Sequence, residues 1–453
     1  MVILGKHQRN SAGRTNIGRV LVGLLVAVGA LATLAGGATF YSRLLYLGLL
    51  LAAGTWIWVT IVARSIRLSR RPDFWRASVG DIFKEQYEIE NRSRLPGGWV
   101  ELYNEMPIPM AAGSRLLTRL LPRENQTYVA RTWLTRRGGF PVGPTLLTVA
   151  DPLGLYRVQR RFPAEKTLVV LPMIFPIMQF LSPPGFLPGG QVIRRKAAEI
   201  TPHAAGVRPY VPGDPMRRIH WPTTARRGQL IVKEFDQDPQ AEVWIFMDAQ
   251  QGVQAEREFE VPAMPLESLL FTRKPKLNLP PSTLEYEVSI AASLARYFIA
   301  QKRAVGLVAQ DRTYTVITAE RSERQENKIL ETLAFIEGKG NLSIAALAGA
   351  HARLLPHGST VILLTPTTAD DILLVADDLQ RRRLRPVVVL LDAATFGGRI
   401  GTNQIARRLE EARVPLRLVA CGADLGEAFS GLLAPAFSQD TAVWQRPTLS
   451  HLT

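Results

Sequence analysis

Two long apolar runs near the N-terminus constrain the fold of this chain more than any other feature. They cover Val20 to Ala38 and Leu44 to Ala63, with only Phe40–Arg43 setting them apart. A helix needs about 20 apolar residues to cross ~30 Å of hydrocarbon, so the runs predict a transmembrane helical hairpin. A cleaved signal peptide is the alternative for the first run. The second run follows at once, without a clear small-residue cleavage site and polar mature start, and this favours the hairpin.

Basic residues flank the two runs and predict their orientation. Residues 1–71 contain nine Lys and Arg and no Asp or Glu, and the hairpin tip carries only Arg43. The positive-inside rule places both outer ends of such a hairpin in the cytoplasm. We therefore expect a multi-pass protein of the inner or plasma membrane whose soluble domains are cytoplasmic.

Composition limits the other function classes. The net charge of +16 is concentrated in residues 1–71 and in residues 194–233, where nine basic residues face only Glu199 and Asp214. The rest of the chain is neutral, so a uniformly basic nucleic-acid binder is a poor description and no nucleic-acid partner is expected. The single cysteine, Cys421, permits no disulfide within the chain and no CxxC metal site.

The chain after the hairpin changes character twice. Residues 72–171 contain short alternating runs separated by turn residues, which predict an all-β sandwich. Residues 172–206 are first Pro/Gly-rich and then basic, which indicates a linker or surface loop. Together with the signature segment described below, they make up the predicted stretch 172–240. Residues 241–453 alternate apolar β-branched runs, such as the predicted strand Val361 to Thr365, with helical patterns, such as the predicted helix Leu284 to Gln301. This alternation predicts an α/β domain with a mostly parallel sheet. The predicted fold is thus multidomain, with a helical hairpin at residues 1–71.

The α/β region contains an insertion, Gln251–Ser282, directly after its first predicted strand, Val243–Asp248. This insertion is rich in proline and would leave the sheet at the carboxyl edge of the strand. Edges of this kind are where open parallel sheets usually bind ligands. A disordered excursion is the alternative for the insertion.

A sequence signature precedes the α/β region. The stretch Val207 to Asp248 reads VRPYVPGDPMRRIHWPTTARRGQLIVKEFDQDPQAEVWIFMD. It resembles the pattern of the bacterial domain of unknown function 58 family, which is R-x-Y-x-x-G-D, then R-x-I-x-W, then A-R and a strand ending in Asp. The matching residues are Arg208, Tyr210, Gly213, Asp214, Arg218, Ile219, Trp221, Ala225 and Arg226. The segment Arg136–Arg157, with Asp151-Pro152-Leu153-Gly154-Leu155, resembles a second signature of the same family.

The resemblance implies a role and a partner. Proteins of that family are membrane-anchored, carry a von Willebrand factor A-like (Rossmann-like) domain and are linked to MoxR-type AAA+ ATPases in the assembly or activation of other complexes. We therefore expect a non-enzymatic scaffold or adaptor. The predicted partner-binding or signature residues are Arg208, Tyr210, Gly213, Asp214, Arg218, Trp221 and Arg226. Guanidinium groups such as those of Arg218 and Arg226 grip acidic partners or phosphate, and internal pairing with Asp214 or Glu234 is the alternative.

A metal site and a catalytic site are both poorly supported by the sequence. A von Willebrand A-type metal site uses D-x-S-x-S after the first strand, because hard oxygen ligands at that spacing hold Mg²⁺. Here Asp248 is kept, but Gln250 and Gly252 occupy the hydroxyl positions. Asp248 is a weak metal candidate, and no catalytic residue or cofactor is predicted. The alternative functions are a metal-dependent adhesion module and an anion or nucleic-acid binder that uses the arginine-rich patch.

Overall fold

The computed structural model describes most of the chain. The described residues are 4–36, 39–117, 120–164, 166–178, 180, 204–211, 216, 219–235, 242–261 and 277–430. The chain divides into two compact units. The first contains Met1–Met173, Phe259–Asn278 and Leu330–Phe335, and the second contains Ile174–Glu258, Leu279–Ile329 and Ile336–Thr453.

Two helices, α1 (Leu4–Leu34) and α2 (Thr39–Ser65), begin the first unit. By length and composition α2 can cross a membrane, whereas the apolar part of α1, Gly18–Leu34, is shorter. The helices pack closely because their crossing point is built from glycine. A Cβ on Gly29 would lie 2.9 Å from the Leu45 backbone nitrogen, and one on Gly48 would lie 2.6 Å from Leu25 Cδ2. Both predicted apolar runs are therefore helical.

The C-terminal end of α2 is covered by protein. Val59, Val62 and Ala63 are fully buried in a core that includes Ile89 and Val100 of the β-sheets. The run predicted to span the membrane, Leu44–Ala63, therefore has its last turns inside the β-region.

Ten strands make up the β-region of the first unit. They are β1 (Ile66–Pro72), β2 (Arg76–Ser78), β3 (Ile82–Asn91), β4 (Trp99–Asn104), β5 (Arg115–Leu117), β6 (Asn125–Trp133), β7 (Gly138–Pro141), β8 (Thr145–Ala150), β9 (Arg157–Phe162) and β10 (Thr167–Leu171). They form sheets of order β1-β3-β6, β5-β4-β8-β9 and β2-β10-β7. Burial alternates along β3 and β4, because every second side chain points to one face. The first two sheets contribute inward residues to one shared core.

Strand β1 corrects the interpretation of residues 66–71 as a basic membrane flank. It pairs antiparallel with β3, and Arg70 points inward. Arg70 Nη2 lies 2.6 Å from Oε1 of Glu85, a fully buried residue, and Arg70 Nη1 donates to Thr145 Oγ1 at 2.8 Å. Burial raises the pKa of Glu85 above its ordinary value, and the Arg70 charge opposes that rise. The neighbouring Arg71 is 74% exposed and remains a surface charge.

The second unit contains a six-stranded sheet. Its strands are β13 (Val243–Met247), β14 (Val305–Gln310), β15 (Tyr314–Glu320), β16 (Thr360–Thr365), β17 (Arg385–Leu391) and β18 (Leu416–Val419). The sheet order is β15-β14-β13-β16-β17-β18, and all neighbours are parallel except β14 and β15. The helices of this part of the chain are α4 (Thr283–Ala300), α5 (Glu323–Phe335), α6 (Ile344–His351), α7 (Asp371–Arg381), α8 (Thr402–Glu411) and α9 (Leu425–Ser430).

Both faces of this sheet are buried. Phe246 and Leu363 share a core with residues of α6, α7 and α8. Their chain neighbours Ile245 and Ile362 point to the other face and are also fully buried. Continuous apolar strands are what a parallel sheet covered on two sides requires, as the alternation of patterns predicted.

The stretch predicted as a linker followed by the signature segment, residues 172–240, contains folded elements. It forms β11 (Ala204–Pro209), α3 (Trp221–Arg227) and β12 (Ile231–Phe235), and β11 pairs antiparallel with β12. Earlier in the segment, the Phe175 nitrogen donates to Ser293 Oγ and the Phe180 nitrogen to the Tyr297 hydroxyl, each at 3.0 Å. The linker was predicted for residues 172–206, of which 179 and 181–203 lie outside the described residues, so it stays a prediction.

Candidate functional site

Asp248 lies where the order of the six-stranded sheet reverses direction. The strands β13 and β16 are neighbours although they are far apart in sequence, and crevices at such switch points are the usual ligand sites of open α/β sheets. Asp248 follows β13, and Thr365 ends β16. Thr365 Oγ1 donates to Asp248 Oδ2 at 2.6 Å, and the Gln250 nitrogen donates to Asp248 Oδ1 at 3.1 Å. Both carboxylate oxygens of Asp248 therefore already have protein donors.

A second buried carboxyl group, that of Glu287 in α4, lies beside Asp248. Gln254 Nε2 joins them, because it donates to the Asp248 carbonyl at 2.6 Å and lies 3.4 Å from Glu287 Oε1. Thr283 Oγ1 in turn donates to Gln254 Oε1 at 2.5 Å. The sequence analysis missed Glu287, although it falls on the apolar side of the predicted helix, three residues before Ile290. A charged residue on the buried stripe of an amphipathic helix was the available signal.

Burial controls the protonation of these two carboxyl groups. It raises the pKa of Asp248 to about 6, against the opposing hydrogen bonds from Thr365 and Gln250. It also raises the pKa of Glu287 well above its ordinary value, and the nearby Asp248 charge adds to the rise. Glu287 Oε2 has no hydrogen-bond partner among the described residues. Glu287 therefore retains its proton to higher pH than an exposed glutamate.

The donor set around Asp248 differs from a metal site built on oxygen ligands. Within the described ranges, no group of three or more His, Cys, Asp or Glu side chains is placed to hold a metal ion. Asp248 and Gln254 instead tie the loop after β13 to β16 and α4. Asp370 lies at the N-cap of α7 and Asp371 in its first turn.

The predicted insertion, Gln251–Ser282, is anchored at both ends. Glu256 bridges to Ser282, the Arg257 nitrogen donates to the Pro281 carbonyl at 3.0 Å, and the Thr283 nitrogen donates to the Ala255 carbonyl at 2.9 Å. Residues 262–276 of the insertion lie outside the described residues. These hydrogen bonds hold the two ends of the insertion together at the carboxyl edge of the sheet. The strand pattern predicted that the insertion leaves the sheet at this edge.

The signature segment has a compact local structure. The Tyr210 nitrogen donates to the Leu230 carbonyl at 2.9 Å, and Arg208 lies in β11 opposite Val232. Helix α3 begins after His220, whose Nδ1 accepts from the Thr223 nitrogen, and it ends at Gly228 with φ of 67°. A left-handed C-terminal residue favours glycine. Gly213, Asp214 and Arg218 lie outside the described residues.

One side of the signature segment is buried and the other is open. Ile231 and Val232 are buried, whereas Trp221 is 64% exposed and Arg226 lies exposed at the other end of α3. The side chains of Asp214 and Glu234, the partners suggested for Arg226, lie outside the described residues, so this pairing stays a prediction. The partner-binding role of these residues stays a prediction.

The fold and these sites define a chain that joins apolar N-terminal helices, a β-sheet region and an α/β unit with a folded signature segment. Residues 206–258 match the family model described as protein of unknown function DUF58. This match confirms the DUF58 resemblance recognised from the motifs of the same segment.

The similar proteins add little beyond the family. The uncharacterized protein YeaD of Bacillus subtilis (strain 168) is 25% identical over 218 residues, which cover 46% of this chain and 54% of the relative. The match thus spans about half the length of that curated relative.

Two solved structures have TM-scores too low to carry an argument. The complex of zinc 2-glycoprotein and prolactin inducible protein from human seminal plasma is 12% identical, covering 23% of this chain and 92% of that chain (TM-score 0.17). The FixG-related protein from Vibrio parahaemolyticus is 7% identical, and the match covers 22% of this chain and 97% of that chain (TM-score 0.15).

The buried carboxyl pair gives a prediction for pH-dependent stability. A carboxyl group whose pKa is raised in the folded state binds more protons there than in the unfolded chain, so stability falls as pH rises above about 4.5. Glu287→Gln mimics the protonated form. We expect the variant to match the parent near pH 4.5 and to be more stable at pH 8 by on the order of 1–3 kcal/mol. Thermal unfolding of the detergent-solubilised full chain across this pH range measures the difference.

The exposed Glu411 provides the control for that measurement. Glu411→Gln removes one carboxyl group without removing a buried charge, so its unfolding temperature should follow the parent at each pH. If the plot of unfolding temperature against pH for Glu287→Gln runs parallel to that of the parent, Glu287 is ionised in the folded chain.

Proposed function

We propose that the chain is a membrane-anchored, non-enzymatic scaffold or adaptor that presents its soluble units to the cytoplasm. Helix α2 has the length and composition of a membrane span, and the apolar part of α1 packs against it at Gly29 and Gly48. The basic residues that precede the apolar part of α1, and those at and after the C-terminal end of α2, support a multi-pass hairpin with both ends in the cytoplasm.

We assign the α/β unit to the von Willebrand factor A-like class within this proposal. The supporting observation is its strand order, which in the unit's own numbering is 3-2-1-4-5-6 with the third strand antiparallel. In such a unit, binding is expected at loops of the carboxyl edge and at segments attached to the sheet. The metal-dependent adhesion alternative lacks an observation in its favour, because Asp248 is engaged by Thr365 and Gln250.

The exposed face of α3 carries the proposal. Trp221 is 64% exposed, although an indole ring normally buries most of its apolar area in a folded protein. Arg226 and Arg227 in the last turn are also exposed. Exposed tryptophan and arginine side chains are the residue types that dominate binding energy at protein interfaces. The partner surface would pair an apolar pocket with carboxylates, and the family resemblance points to a MoxR-type AAA+ ATPase as the partner.

A pull-down with two α3 variants tests this proposal. Trp221→Ser and Arg226→Glu are each expected to weaken partner recovery by about 30-fold, since interface residues of this kind contribute at least ~2 kcal/mol. The measurement is crosslinked recovery of partners from detergent-solubilised native protein, with and without ATP. Recovery of an AAA+ ATPase that depends on nucleotide is the expected result.

Matched variants on other surfaces provide the controls. Leu374→Ser removes another largely exposed apolar side chain, which is 73% exposed, and Arg399→Glu reverses another exposed arginine. Both should bind as the parent does. If the α3 variants also bind as the parent does while remaining folded, α3 is not the partner surface. Recovery of envelope or cell-wall proteins alone would contradict the cytoplasmic orientation, which a topology reporter at the C-terminus tests independently.

The exposed Arg226 and Arg227 also favour a second candidate function, the binding of an anion or nucleic acid. This function predicts DNA or RNA binding with a steep salt dependence, in which each neutralised arginine lowers the slope by about one. Absence of binding at ~50 mM salt would eliminate it.

A further inference from the structure

The burial of α2 sets the depth at which the first unit meets a membrane. Val59, Val62 and Ala63 are enclosed by the β-region, and Arg160 Nη1 donates to the Ala63 carbonyl at 2.7 Å and to the Ile66 carbonyl at 3.0 Å. The part of α2 that precedes these buried residues, 39–58, is 20 residues long and spans about 30 Å as a helix. That length equals the hydrocarbon thickness of a typical bilayer, so the membrane surface falls near Trp58.

Three loops of the β-region lie at that level. We call them the rim loops, and they are residues 92–99, 120–124 and 151–156. Trp58 Nε1 donates to the Pro96 carbonyl in the first loop at 3.1 Å. Arg19 Nε, at the start of the apolar part of α1, donates to the Leu155 carbonyl in the third loop at 2.5 Å. Contacts from both helices therefore place the rim loops beside the ends of the two apolar segments.

Asn91 holds the rim loops together. Its side chain is fully buried, and its Nδ2 donates to the Leu95 carbonyl at 3.0 Å and to the Leu121 carbonyl at 3.1 Å. The first and third loops also touch, since a Cβ on Gly98 would lie 3.3 Å from the Pro152 nitrogen. The rim loops form one continuous surface rather than three separate excursions.

The side chains that this surface exposes are apolar or basic. Trp99, Leu121 and Leu153 are 52%, 43% and 56% exposed. Arg94 and Arg123 are exposed, and no acidic side chain of the described residues pairs with either. The acidic residues of the rim loops are engaged, because the Asp151 carboxylate accepts from the Leu153 and Tyr156 nitrogens and Glu124 Oε2 accepts from the Leu121 nitrogen. An exposed tryptophan among unpaired arginines fits the boundary between hydrocarbon and negatively charged headgroups.

We propose that the rim loops bind the surface of an anionic bilayer, with Trp99, Leu121 and Leu153 at the headgroup level and Arg94 and Arg123 on lipid phosphates. This rests on the membrane anchoring proposed above and adds to it a second, lipid-dependent contact. The rim is continuous with the helices that enter the membrane, and its charge is complementary to acidic lipids. A bilayer contact of this kind fixes the orientation of the β-region relative to the membrane, which a hairpin alone leaves free to swivel.

The fluorescence of Trp99 tests the proposal in the full chain. The protein is incorporated into nanodiscs whose lipids have brominated tails, either phosphatidylcholine alone or phosphatidylcholine with phosphatidylglycerol. The signal of Trp99 is the difference between the parent and Trp99→Phe. We expect Trp99 to be quenched more strongly in the anionic discs. In the double variant Arg94→Gln with Arg123→Gln, each neutralised arginine should lower the ratio of membrane-bound to unbound rim loops by about fivefold at low salt.

The controls separate this proposal from the anchoring on which it rests. Arg324→Glu with Arg399→Glu changes exposed charge in the second unit and should leave the quenching of Trp99 unchanged. Stable incorporation of the chain with Trp99 unquenched, or quenched equally in both lipids and in the double Arg→Gln variant, would overturn the rim proposal alone. A chain that stays folded but does not incorporate into discs would overturn the anchoring as well.

Discussion

Arg70→Ala is expected to destabilise the first unit by about 3–5 kcal/mol, because it leaves the buried Glu85 carboxylate without its cation. Arg70 Nη2 lies 2.6 Å from Glu85 Oε1, and Glu85 Oε2 has no other partner among the described residues. The substitution also removes the donor to Thr145 Oγ1 and the guanidinium that lies 5.0 Å from the centre of the Tyr87 ring. Thermal or denaturant unfolding of the detergent-solubilised full chain measures the loss.

Arg71 is a matched control one residue further along the same strand. It is 74% exposed, and its Nη2 lies 3.8 Å from Glu88 Oε2, so Arg71→Ala should change stability by less than about 1 kcal/mol. The double variant Arg70→Met with Glu85→Leu should recover most of the loss, because it removes both charges together. Equal effects of Arg70→Ala and Arg71→Ala would mean that residues 66–71 are an exposed flank, as the charge pattern alone suggested.

Gly29→Leu is expected to separate the two N-terminal helices. A Cβ at this position would lie 2.9 Å from the Leu45 backbone nitrogen and 3.0 Å from the Leu45 Cα. Backbone atoms do not move aside as a flexible side chain does, so the helices must shift apart and lose their close packing. Small residues at helix crossings in membranes act by permitting this approach. Overpacking typically costs about 1–3 kcal/mol of stability, and the clash with backbone atoms puts the expected loss for Gly29→Leu at the upper end of this range.

The hairpin itself provides controls for that substitution. Gly23 in the same helix and Gly54 in α2 have nothing within 4 Å of an added Cβ, so Gly23→Leu and Gly54→Leu should leave the helices together. Crosslinking between cysteines placed in α1 and α2, in a Cys421→Ser background, measures whether they remain adjacent. Undiminished crosslinking in Gly29→Leu would contradict the packing described here.

Much of the secondary structure follows from local patterns. The helix predicted from Leu284 to Gln301 is observed at Thr283–Ala300, and the strand predicted at Val361–Thr365 is observed at Thr360–Thr365. These elements are strongly periodic or continuously apolar, and such patterns are formed by neighbours in sequence. The strand β1 was not recognised, because its alternation of Ile66, Leu68 and Arg70 includes an inward charge. An arginine looks like a surface residue until its buried partner is known.

The candidate sites also divide into features that follow from neighbouring residues and features that depend on distant contacts. Motif spacing alone identified the signature segment and Asp248, since those features are written in consecutive residues. Glu287 and Thr365 approach Asp248 from α4 and β16, which are distant in the chain, and no local sequence pattern indicates that these residues lie together.

The sequence was sufficient for what depends on neighbouring residues, namely the apolar helices, the change from β to α/β patterns and the family signature that residues 206–258 match. The folded chain was needed for what depends on distant contacts. Only there does Arg70 become a buried ion-pair partner rather than a membrane flank, and only there do the last turns of α2 lie inside protein. The physical reason is that burial and pairing are properties of a side chain's surroundings, which are assembled from parts of the chain that sequence order keeps apart.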